Sequence, residues 1–207
     1  MLADSSVFDQ AEYDLYRGAV WPSIEAHGGT FMIRGGRFER LEGTHEWTRL
    51  IGLEFPGLAE LRTWYGSPEY QALKAQRLRG ARTDMVFLEE TGRGGDAVAG
   101  AAAAVPAPSV PPAYVIAEVE IHDLEAIRGY TDHVAATHAK AGARYLSRGG
   151  AIEVAEGAWR PERLVVIEFP SWEAALGWYR SDEYQALRRI RETCSRTEML
   201  VVEGHLG

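Results

Sequence analysis

The chain has 207 residues, of which 46% are hydrophobic, 25% charged and 10% aromatic, as in ordinary globular domains. Its formal net charge of −8 at pH 7 argues against nucleic-acid binding and against attachment to anionic lipid. A single cysteine, Cys194, excludes an internal disulfide framework, and no apolar run approaches the roughly 18 residues of a membrane helix. The first ten residues lack a secretory signal pattern, so the cytoplasm is the expected compartment.

The sequence contains one pattern twice, at a constant offset of 114 residues. FMIRGGRFERLEG at 31–43 corresponds to YLSRGGAIEVAEG at 145–157, RLIGLEFP at 49–56 to RLVVIEFP at 163–170, and WYGSPEYQAL at 64–73 to WYRSDEYQAL at 178–187. No insertion or deletion is needed, and roughly 29 of about 90 positions are identical, where a random alignment gives about 5 or 6. The chain is therefore an internal duplication, with repeats predicted at 1–90 and 113–207.

The first repeat begins with a weak strand. Residues 1–8 stand where the second repeat has a clear strand, but Asp4, Ser5 and Ser6 interrupt the apolar pattern. This predicts either a frayed edge strand or a natural start further upstream. Residues 91–112 are almost entirely Gly, Ala, Val and Pro and are predicted to form a flexible, extended linker. A short helix over 97–105 is the alternative.

The second repeat gives the clearer pattern of elements. Alternating segments rich in β-branched residues predict strands, and apolar residues at helical spacing behind a Ser or Asp cap predict helices. In chain order we expect a strand over 114–121, a helix from Asp123 to about Lys140, strands over 144–155 and 163–169, two short helices capped by Ser171 and Ser181, and a strand over 198–203. The pair Gly149–Gly150 predicts a bulge or sharp bend inside the second strand.

This order, βαββαβ, predicts a ferredoxin-like repeat in which one sheet carries two helices on one face. Val115 and Ala117 are predicted to face the helices, whereas Ile116, Leu164 and Val166 lie on the opposite face of the sheet. An uncovered apolar face of that size would be an interaction site. We therefore expect an α+β fold in which two ferredoxin-like repeats pack sheet to sheet as an intramolecular pseudo-dimeric α/β barrel.

The run GG-x-[FY]-x-x-RGG, followed by LEG, RL-x-x-x-EFP and WY-x-S-x-EYQAL, resembles the bacterial family of the domain of unknown function 1330. The resemblance covers both repeats and implies the dimeric α/β-barrel superfamily. It implies two domains, normally paired as a dimer, fused in one chain, with a homodimer of the fused pair as a further assembly. The superfamily includes cofactor-independent monooxygenases, polyketide cyclases, lactone isomerases and haem enzymes, but a shared fold assigns no activity.

Polar residues that recur in both repeats are the first candidates for chemistry. They are Arg34, Arg49 and Glu54 in the first repeat and Arg148, Arg163 and Glu168 in the second. By strand alternation Glu168 faces the barrel, where a carboxylate needs a cation, and Arg148 is the expected partner. The set forms either a structural ion pair or an arginine anion site beside a general base. Its presence in both repeats favours the structural interpretation.

A second recurring set is aromatic: Trp64, Tyr65 and Tyr70, with their counterparts Trp178, Tyr179 and Tyr184. Core packing is the expected role, and the alternative is a pocket wall in which a tyrosine such as Tyr65 or Tyr179 donates a proton. The other tryptophans that break the repeat are Trp21, Trp47, Trp159 and Trp172. We expect these at the seam between the repeats, with an aromatic-ligand pocket as the alternative.

None of the six histidines stands in a metal-binding register, so neither a metal nor a cofactor is expected. His138 is the best lone candidate for an acid–base role, against a satisfied or exposed histidine. The favoured function is a cofactor-independent cyclase, isomerase or monooxygenase acting on a hydrophobic or aromatic small molecule. The alternatives are a non-catalytic binding or stress-response module and a haem-binding relative that uses His138 or His133.

Overall fold

The computed structural model describes residues 1–89 and 110–206. Most of the predicted linker over 91–112, and the alternative helix over 97–105, lie outside the described residues. The first repeat contains β1 (Leu2–Val7), α1 (Gln10–Ala19), α2 (Trp21–Glu25), β2 (Thr30–Arg34), β3 (Phe38–Glu42), β4 (Leu50–Glu54), α3 (Leu58–Gly66), α4 (Pro68–Gly80) and β5 (Ala81–Leu88). The second contains β6 (Ala113–Ile121), α5 (Arg128–Lys140), β7 (Arg144–Arg148), β8 (Ile152–Glu156), β9 (Leu164–Phe169), α6 (Trp172–Arg180), α7 (Asp182–Glu192) and β10 (Ser195–Glu203).

The helices of the second repeat begin at or near the predicted caps. Ser171 accepts a hydrogen bond from the backbone N–H of Ala174 at the start of α6, and Ser181 accepts one from Tyr184 at the start of α7. Asp123 caps the turn that precedes α5 rather than the helix itself. Among the described residues, no helix has the length and apolar character that a membrane span requires.

Two five-stranded antiparallel sheets form the centre of the molecule, with strand orders β2-β4-β1-β5-β8 and β3-β10-β6-β9-β7. Each repeat supplies four strands to its own sheet and one strand to the sheet of the other repeat. The exchanged strand β3 pairs with β10, and β8 pairs with β5. The predicted fold class of two ferredoxin-like repeats packed sheet to sheet is confirmed, and the exchanged strands add a fifth strand to each sheet.

The segment predicted as one strand over 144–155 is two strands, β7 and β8, which belong to different sheets. Gly149, between them, has a φ of 77°, in the left-handed region that glycine adopts without a steric cost. A Cβ at this position would lie 2.5 Å from Cζ of Arg163. The glycine pair therefore turns the chain out of one sheet and towards the other, which is more than the bend predicted from the sequence.

Apolar side chains of both repeats fill the space between the sheets. This inter-sheet core includes Leu2, Ile33, Leu50 and Val86 from the first repeat and Ile116, Leu164, Val166 and Leu200 from the second. Val115 and Ala117 lie on the other face of their sheet, in the core under the helices, as the alternation predicted. Full burial of one aliphatic side chain contributes about 1.5–3 kcal/mol, so the shared core is a major attraction between the repeats.

The strand β1 is central in its sheet, since it pairs with both β4 and β5. Its polar residues have partners: Ser5 Oγ lies 2.9 Å from Thr83 Oγ1, and the Asp4 carboxylate accepts from the backbone N–H groups of Thr48 and Arg49 at 3.0 and 2.7 Å. The expected frayed edge strand is therefore wrong. Hydrogen bonds from side chains take the place of the apolar contacts that the sequence pattern lacks.

Candidate functional site

Two buried ion pairs, not predicted from the sequence, join the repeats. Arg191 donates to both carboxylate oxygens of Glu42 at 2.6 and 2.8 Å, and Arg77 donates to both oxygens of Glu156 at 2.7 and 2.8 Å. Each pair links a helix of one repeat to the exchanged strand of the other, and each arginine is 2% exposed. Removing one partner of such a pair would leave an uncompensated buried charge. The two pairs are related by the offset of 114 residues. The presence of the same glutamate and arginine in both repeats was the sequence signal that could have identified them.

The two tyrosines predicted as proton donors bind the same exchanged strands. Tyr179 Oη donates to the backbone carbonyl of Leu41 at 3.0 Å, and Tyr65 Oη donates to that of Ala155 at 3.3 Å. Tyr65 Oη also accepts from Lys74 Nζ at 2.6 Å. Burial raises the pKa of Tyr179 to about 12, which keeps its proton in place at pH 7. Both hydroxyls thus have structural partners at the seam.

Glu168 pairs with Arg144, and the predicted partner, Arg148, lies elsewhere. Arg144 stands directly opposite Glu168 in the β7–β9 ladder and donates to its two oxygens at 2.8 and 3.0 Å. These bonds raise the pKa of Arg144, and the charge of Glu54, exposed at the end of β4, acts in the same direction. Arg148 lies on the helix side of the sheet, 4.9 Å from the centroid of the Tyr145 ring. The expected Arg148–Glu168 site is therefore corrected to an Arg144–Glu168 ion pair at a strand end.

Beneath α5 the second repeat contains a cavity, named here the second cavity. The space open to the centre of a water molecule is about 70 Å³, which suits several waters or a small ligand, because one water needs roughly 10–15 Å³ on this measure. Aliphatic and aromatic side chains form most of its wall. The wall also contains four predicted site residues, His138, Arg148, Arg163 and Trp178. The structure thus brings together candidates that the sequence offered separately.

His138 extends from α5 into aromatic surroundings. Its side chain is 2% exposed, and its ring centroid lies 4.7 Å from that of Trp178 and 5.0 Å from that of Tyr145. Neither ring nitrogen has a hydrogen-bond partner among the described residues. Burial, reinforced by the positive charge of Arg148, lowers the pKa of His138 to about 3, so the imidazole is neutral at pH 7. It therefore offers one N–H donor and one bare nitrogen acceptor.

Two arginines border the second cavity beside His138. Arg148 Nη2 donates to the backbone carbonyl of Thr131 on α5 at 3.5 Å, and Arg163 Nη2 donates to the carbonyl of Arg148 at 3.2 Å. Both side chains are partly buried. Guanidinium groups in this position attract the anionic or carbonyl end of a bound molecule.

The corresponding space in the first repeat, named here the first cavity, has the same scaffold and different chemistry. Its open space is about 40 Å³. Its wall includes the predicted residues Arg34, Arg49, Trp64 and Tyr70. Ile24, 1% exposed, stands where the second repeat has His138, and Phe31 stands where it has Tyr145. The first cavity therefore retains the arginines and lacks the imidazole, and it has a phenyl ring in place of the Tyr145 phenol.

The recurring Trp–Tyr pairs are packed in the helix-side cores, and Trp64, Tyr70 and Trp178 also line the cavities. The ring centroids of Trp64 and Tyr70 lie 4.0 Å apart, and those of Trp178 and Tyr184 lie 4.0 Å apart. The indole N–H of Trp178 donates to Thr137 Oγ1 at 2.9 Å. These contacts fix the rings in one orientation, so any ligand meets a preformed aromatic surface.

Three of the four remaining tryptophans lie at the seam. The ring centroids of Trp47 and Trp159, from different repeats, lie 5.3 Å apart in the inter-sheet core. Trp172 lies under the guanidinium of Arg37 of the other repeat, 4.3 Å from its ring centroid. Trp21 packs within the first repeat, in the core under the helices, so the prediction that it lies at the seam is wrong.

The described residues form no site suited to a metal ion or to a haem. No group of three or more His, Cys, Asp or Glu side chains suited to a metal ion occurs in the part of the chain that the structure describes. His133 is exposed, with Nδ1 3.2 Å from the backbone carbonyl of Gly129. His138 lies in a space far smaller than a haem. The haem-binding alternative does not fit the residues present.

The paired sheets, the shared core and the helix-covered outer faces define an α+β protein of the dimeric α/β-barrel type, closed within one chain. The chain belongs to the family described as "Domain of unknown function (DUF1330)", whose model matches residues 1–91 and again residues 112–205.

Two solved structures are similar to this chain along its length. One, described as a "putative monooxygenase" from Lactobacillus acidophilus NCFM, is 14% identical, with 100% of this chain and 97% of that chain covered and a TM-score of 0.49. The other, described as an "anthrone oxidase-like protein", is 11% identical, with 99% and 90% covered and a TM-score of 0.45. No curated protein matches the chain.

Proposed function

We propose that the chain acts on a small molecule bound in the second cavity, as a cofactor-independent enzyme that uses His138 as its proton acceptor. The observation that carries this proposal is a buried imidazole whose two ring nitrogens have no partner among the described residues. A buried polar group without a partner costs about 1–3 kcal/mol. The fold does not require this cost, because Ile24 occupies the same position in the first repeat.

The wall of the second cavity favours a hydrophobic or aromatic molecule that carries one acidic or carbonyl group. Its open space of about 70 Å³ is less than half of the roughly 150 Å³ that holds a benzene ring, so aliphatic side chains of the wall must move apart to admit an aromatic ligand. Trp178 and Tyr145 offer aromatic surface, which suits a flat apolar body. Arg148 and Arg163 offer positive charge at the border of the same space, which suits an oxygen that is negative or becomes negative.

The removal of one proton and its return to another atom is sufficient for isomerisation. The bare nitrogen of His138 takes a proton from a C–H or O–H group of the substrate, and the electron pair stays on the substrate as an enolate or phenolate. Arg148 stabilises this anion, and the imidazolium then returns the proton to a different atom. No other electron or proton donor is needed, because the proton moves only between the substrate and His138. A bound anion would also raise the low pKa of His138, which makes it a stronger acceptor when the substrate is present.

A non-catalytic binding module is the second candidate. Its specific support is that His138 has no hydrogen-bonded carboxylate among the described residues, whereas a histidine in a catalytic relay is oriented by one. In this case the ring nitrogens of His138 only exchange hydrogen bonds with the ligand.

Ligand binding is the first test. A panel of aromatic acids and quinones is titrated, by thermal shift and by NMR, into the wild type, His138→Ile and Ile24→His. His138→Ile copies the first repeat and keeps the core apolar, so it should fold and should bind cavity ligands about tenfold more weakly or worse. Ile24→His adds a histidine in the other cavity and should leave that affinity unchanged.

Hydrogen exchange from the bound ligand into D₂O separates the two candidates. Loss of a ligand C–H signal with the wild type, and none with His138→Ile, supports the enzyme. Binding without exchange in any ligand supports the binding module. If His138→Ile behaves as the wild type in both measurements with every ligand of the panel, His138 has no role in binding or catalysis. Both candidate functions would then lose their basis.

A further inference from the structure

A polar pocket lies at the junction of the two repeats, between the end of α7, the start of β10 and the exchanged strand β3. We name it the arginine pocket, after its residues Arg40, Arg188 and Arg191. Its open space is about 360 Å³, and Ser195 and Thr197 also line it. Arg191 is the residue that it shares with the second cavity, so the two spaces are separate sites with one common wall.

The duplication provides an internal control for this pocket. At the offset of 114, the other half has Val154 for Arg40, Lys74 for Arg188, Arg77 for Arg191, Leu78 for Glu192, Ala81 for Ser195 and Thr83 for Thr197. The buried arginine and the threonine are present in both halves, which marks them as part of the scaffold. The exposed arginine on the exchanged strand is present in one half, so the fold does not require it. Ser195 is also present in one half, but its hydroxyl donates to the backbone carbonyl of Arg191 at 3.0 Å, which gives it a structural role.

The charges around the pocket leave a surplus of one cation. Three guanidinium groups and two carboxylates, those of Glu42 and Glu192, line it. Glu42 is committed to Arg191 and lies 3.6 Å from Arg188 Nε. Arg40 is exposed, and its bonds to the carbonyls of the following turn are long, at 3.4 and 3.5 Å. On a chain of net charge −8, this is a local positive site.

A second cation becomes available when an anion approaches. Arg188 pairs with Glu192 at 2.7 Å through an i,i+4 contact in which the Glu192 side chain is 46% exposed. Exposed pairs of this kind are weak, so an incoming anion can displace the carboxylate into solvent. Thr197 Oγ1 accepts from Arg191, and its own hydrogen can still be donated.

We propose that the arginine pocket binds a phosphate group, either free or carried on a small molecule, between Arg40 and Arg188. Planar guanidinium groups donate two parallel hydrogen bonds to phosphate oxygens, and the Thr197 hydroxyl adds a donor on the third side. The site does not depend on His138 or on the activity proposed for the second cavity.

The test titrates inorganic phosphate, methyl phosphate and acetate into the protein, with dissociation constants taken from NMR shifts of the Ser195 and Thr197 amides. Arg40→Val copies the other half at an exposed position and should weaken phosphate binding about tenfold or more. Glu192→Leu, also copied from the other half, should tighten it severalfold. The control Arg79→Val removes an equal charge from an exposed position of α4 and should change it little.

The arms of the titration identify the source of the phosphate. Tighter binding of methyl phosphate indicates a phosphate ester as the ligand, and tighter binding of inorganic phosphate indicates the free anion. Acetate binding as tight as phosphate binding overturns the proposal, as does a lack of saturable shifts below about 10 mM, where specific charge-assisted contacts of this kind should act. Equal weakening in Arg40→Val and Arg79→Val also overturns it, because general charge would then explain the effect.

Discussion

The first and second cavities share one frame and differ at the position that matters for chemistry. Both lie between helices and sheet, and both have a packed Trp–Tyr pair in the wall or directly behind it. Both walls also contain an equivalent pair of arginines, Arg34 and Arg49 in the first cavity and Arg148 and Arg163 in the second. Where the second has His138, the first has Ile24. The comparison separates what the fold requires from what it permits. A residue present in both halves is explained by folding, whereas a buried polar residue that occurs in one half and lacks a hydrogen-bond partner there needs another explanation.

The strongest test of this comparison concerns the seam, where the two halves should be equal. Glu42→Gln removes the anion from the buried Arg191 pair, and we expect a loss of about 3–5 kcal/mol in the free energy of unfolding. Glu156→Gln should cost the same to within about 1 kcal/mol. Denaturant unfolding measures both, with the exposed Glu39→Gln as a control that changes little. Unequal losses in the free energy of unfolding would show that the two buried ion pairs do not stabilise the scaffold equally.

The pH dependence of stability sharpens the difference between the cavities. The pKa of His138 is about 3 in the folded protein and about 6.5 when unfolded, so between these values the unfolded state binds a proton that the native state does not. Wild-type stability should therefore fall by about 1.4 kcal/mol per pH unit as pH drops below 6.5, beyond the slope shared with other groups. His138→Ile should lack this contribution, a difference of about 2.7 kcal/mol at pH 4.5.

The control for this measurement is His133→Ala, at an exposed position on the same helix, which should retain the wild-type slope. Parallel stability profiles for the wild type and His138→Ile would show that the buried imidazole is charged or has a partner.

Placing a histidine in the first cavity tests whether a buried imidazole without a partner also destabilises that half of the molecule. Ile24→His buries an imidazole where the scaffold packs an aliphatic chain, and we expect a loss of about 1–3 kcal/mol at pH 7. Ile24→Val, which removes one methyl group at the same place, should cost about 0.5–1.5 kcal/mol. Thermal or denaturant unfolding distinguishes them. A neutral effect of Ile24→His would mean that this position gives an imidazole a partner after all.

The smallest expected effect concerns the tyrosines at the seam. Tyr179→Phe and Tyr65→Phe each remove one hydrogen bond to an exchanged strand, at a cost of about 0.5–1.5 kcal/mol for that bond, and Tyr65→Phe also removes the acceptor of Lys74 Nζ. Both variants should bind cavity ligands as the wild type does. A loss of binding or turnover in Tyr179→Phe alone would return this hydroxyl to the list of catalytic candidates.

The offset of 114 and the alternation of Ile116, Leu164 and Val166 were sufficient to predict the repeats, the two faces of the sheet and the sheet-to-sheet packing. They could not predict the exchange of strands. Alternation shows which side chains share a face, but it does not identify the neighbouring strand. The choice of β10 as the partner of β3 depends on contacts more than 150 residues away in sequence.

The site was predicted in part, and the error has a local cause. His138, Arg148 and Arg163 were all candidates, but Arg148 was chosen as the partner of Glu168 because it lies on the neighbouring strand, without regard to the face on which its side chain lies. A bulge between Tyr145 and Ser147 shifts the phase of β7, so Arg148 turns to the helix side while Arg144 meets Glu168. Single-residue insertions of this kind move every later side chain to the other face.

The exchanged strands also determine when the molecule can finish folding during synthesis. While the first half leaves the ribosome, the β5 edge is open and β3 has no sheet to join, because the partners of both lie in the second half. Open edges of this kind attract other chains. The partner of β3 is β10, the last strand among the described residues, so β3 can join its sheet only after the second repeat has been synthesised. The order of synthesis, and not only the final contacts, thus exposes this protein to chaperones and to misassembly.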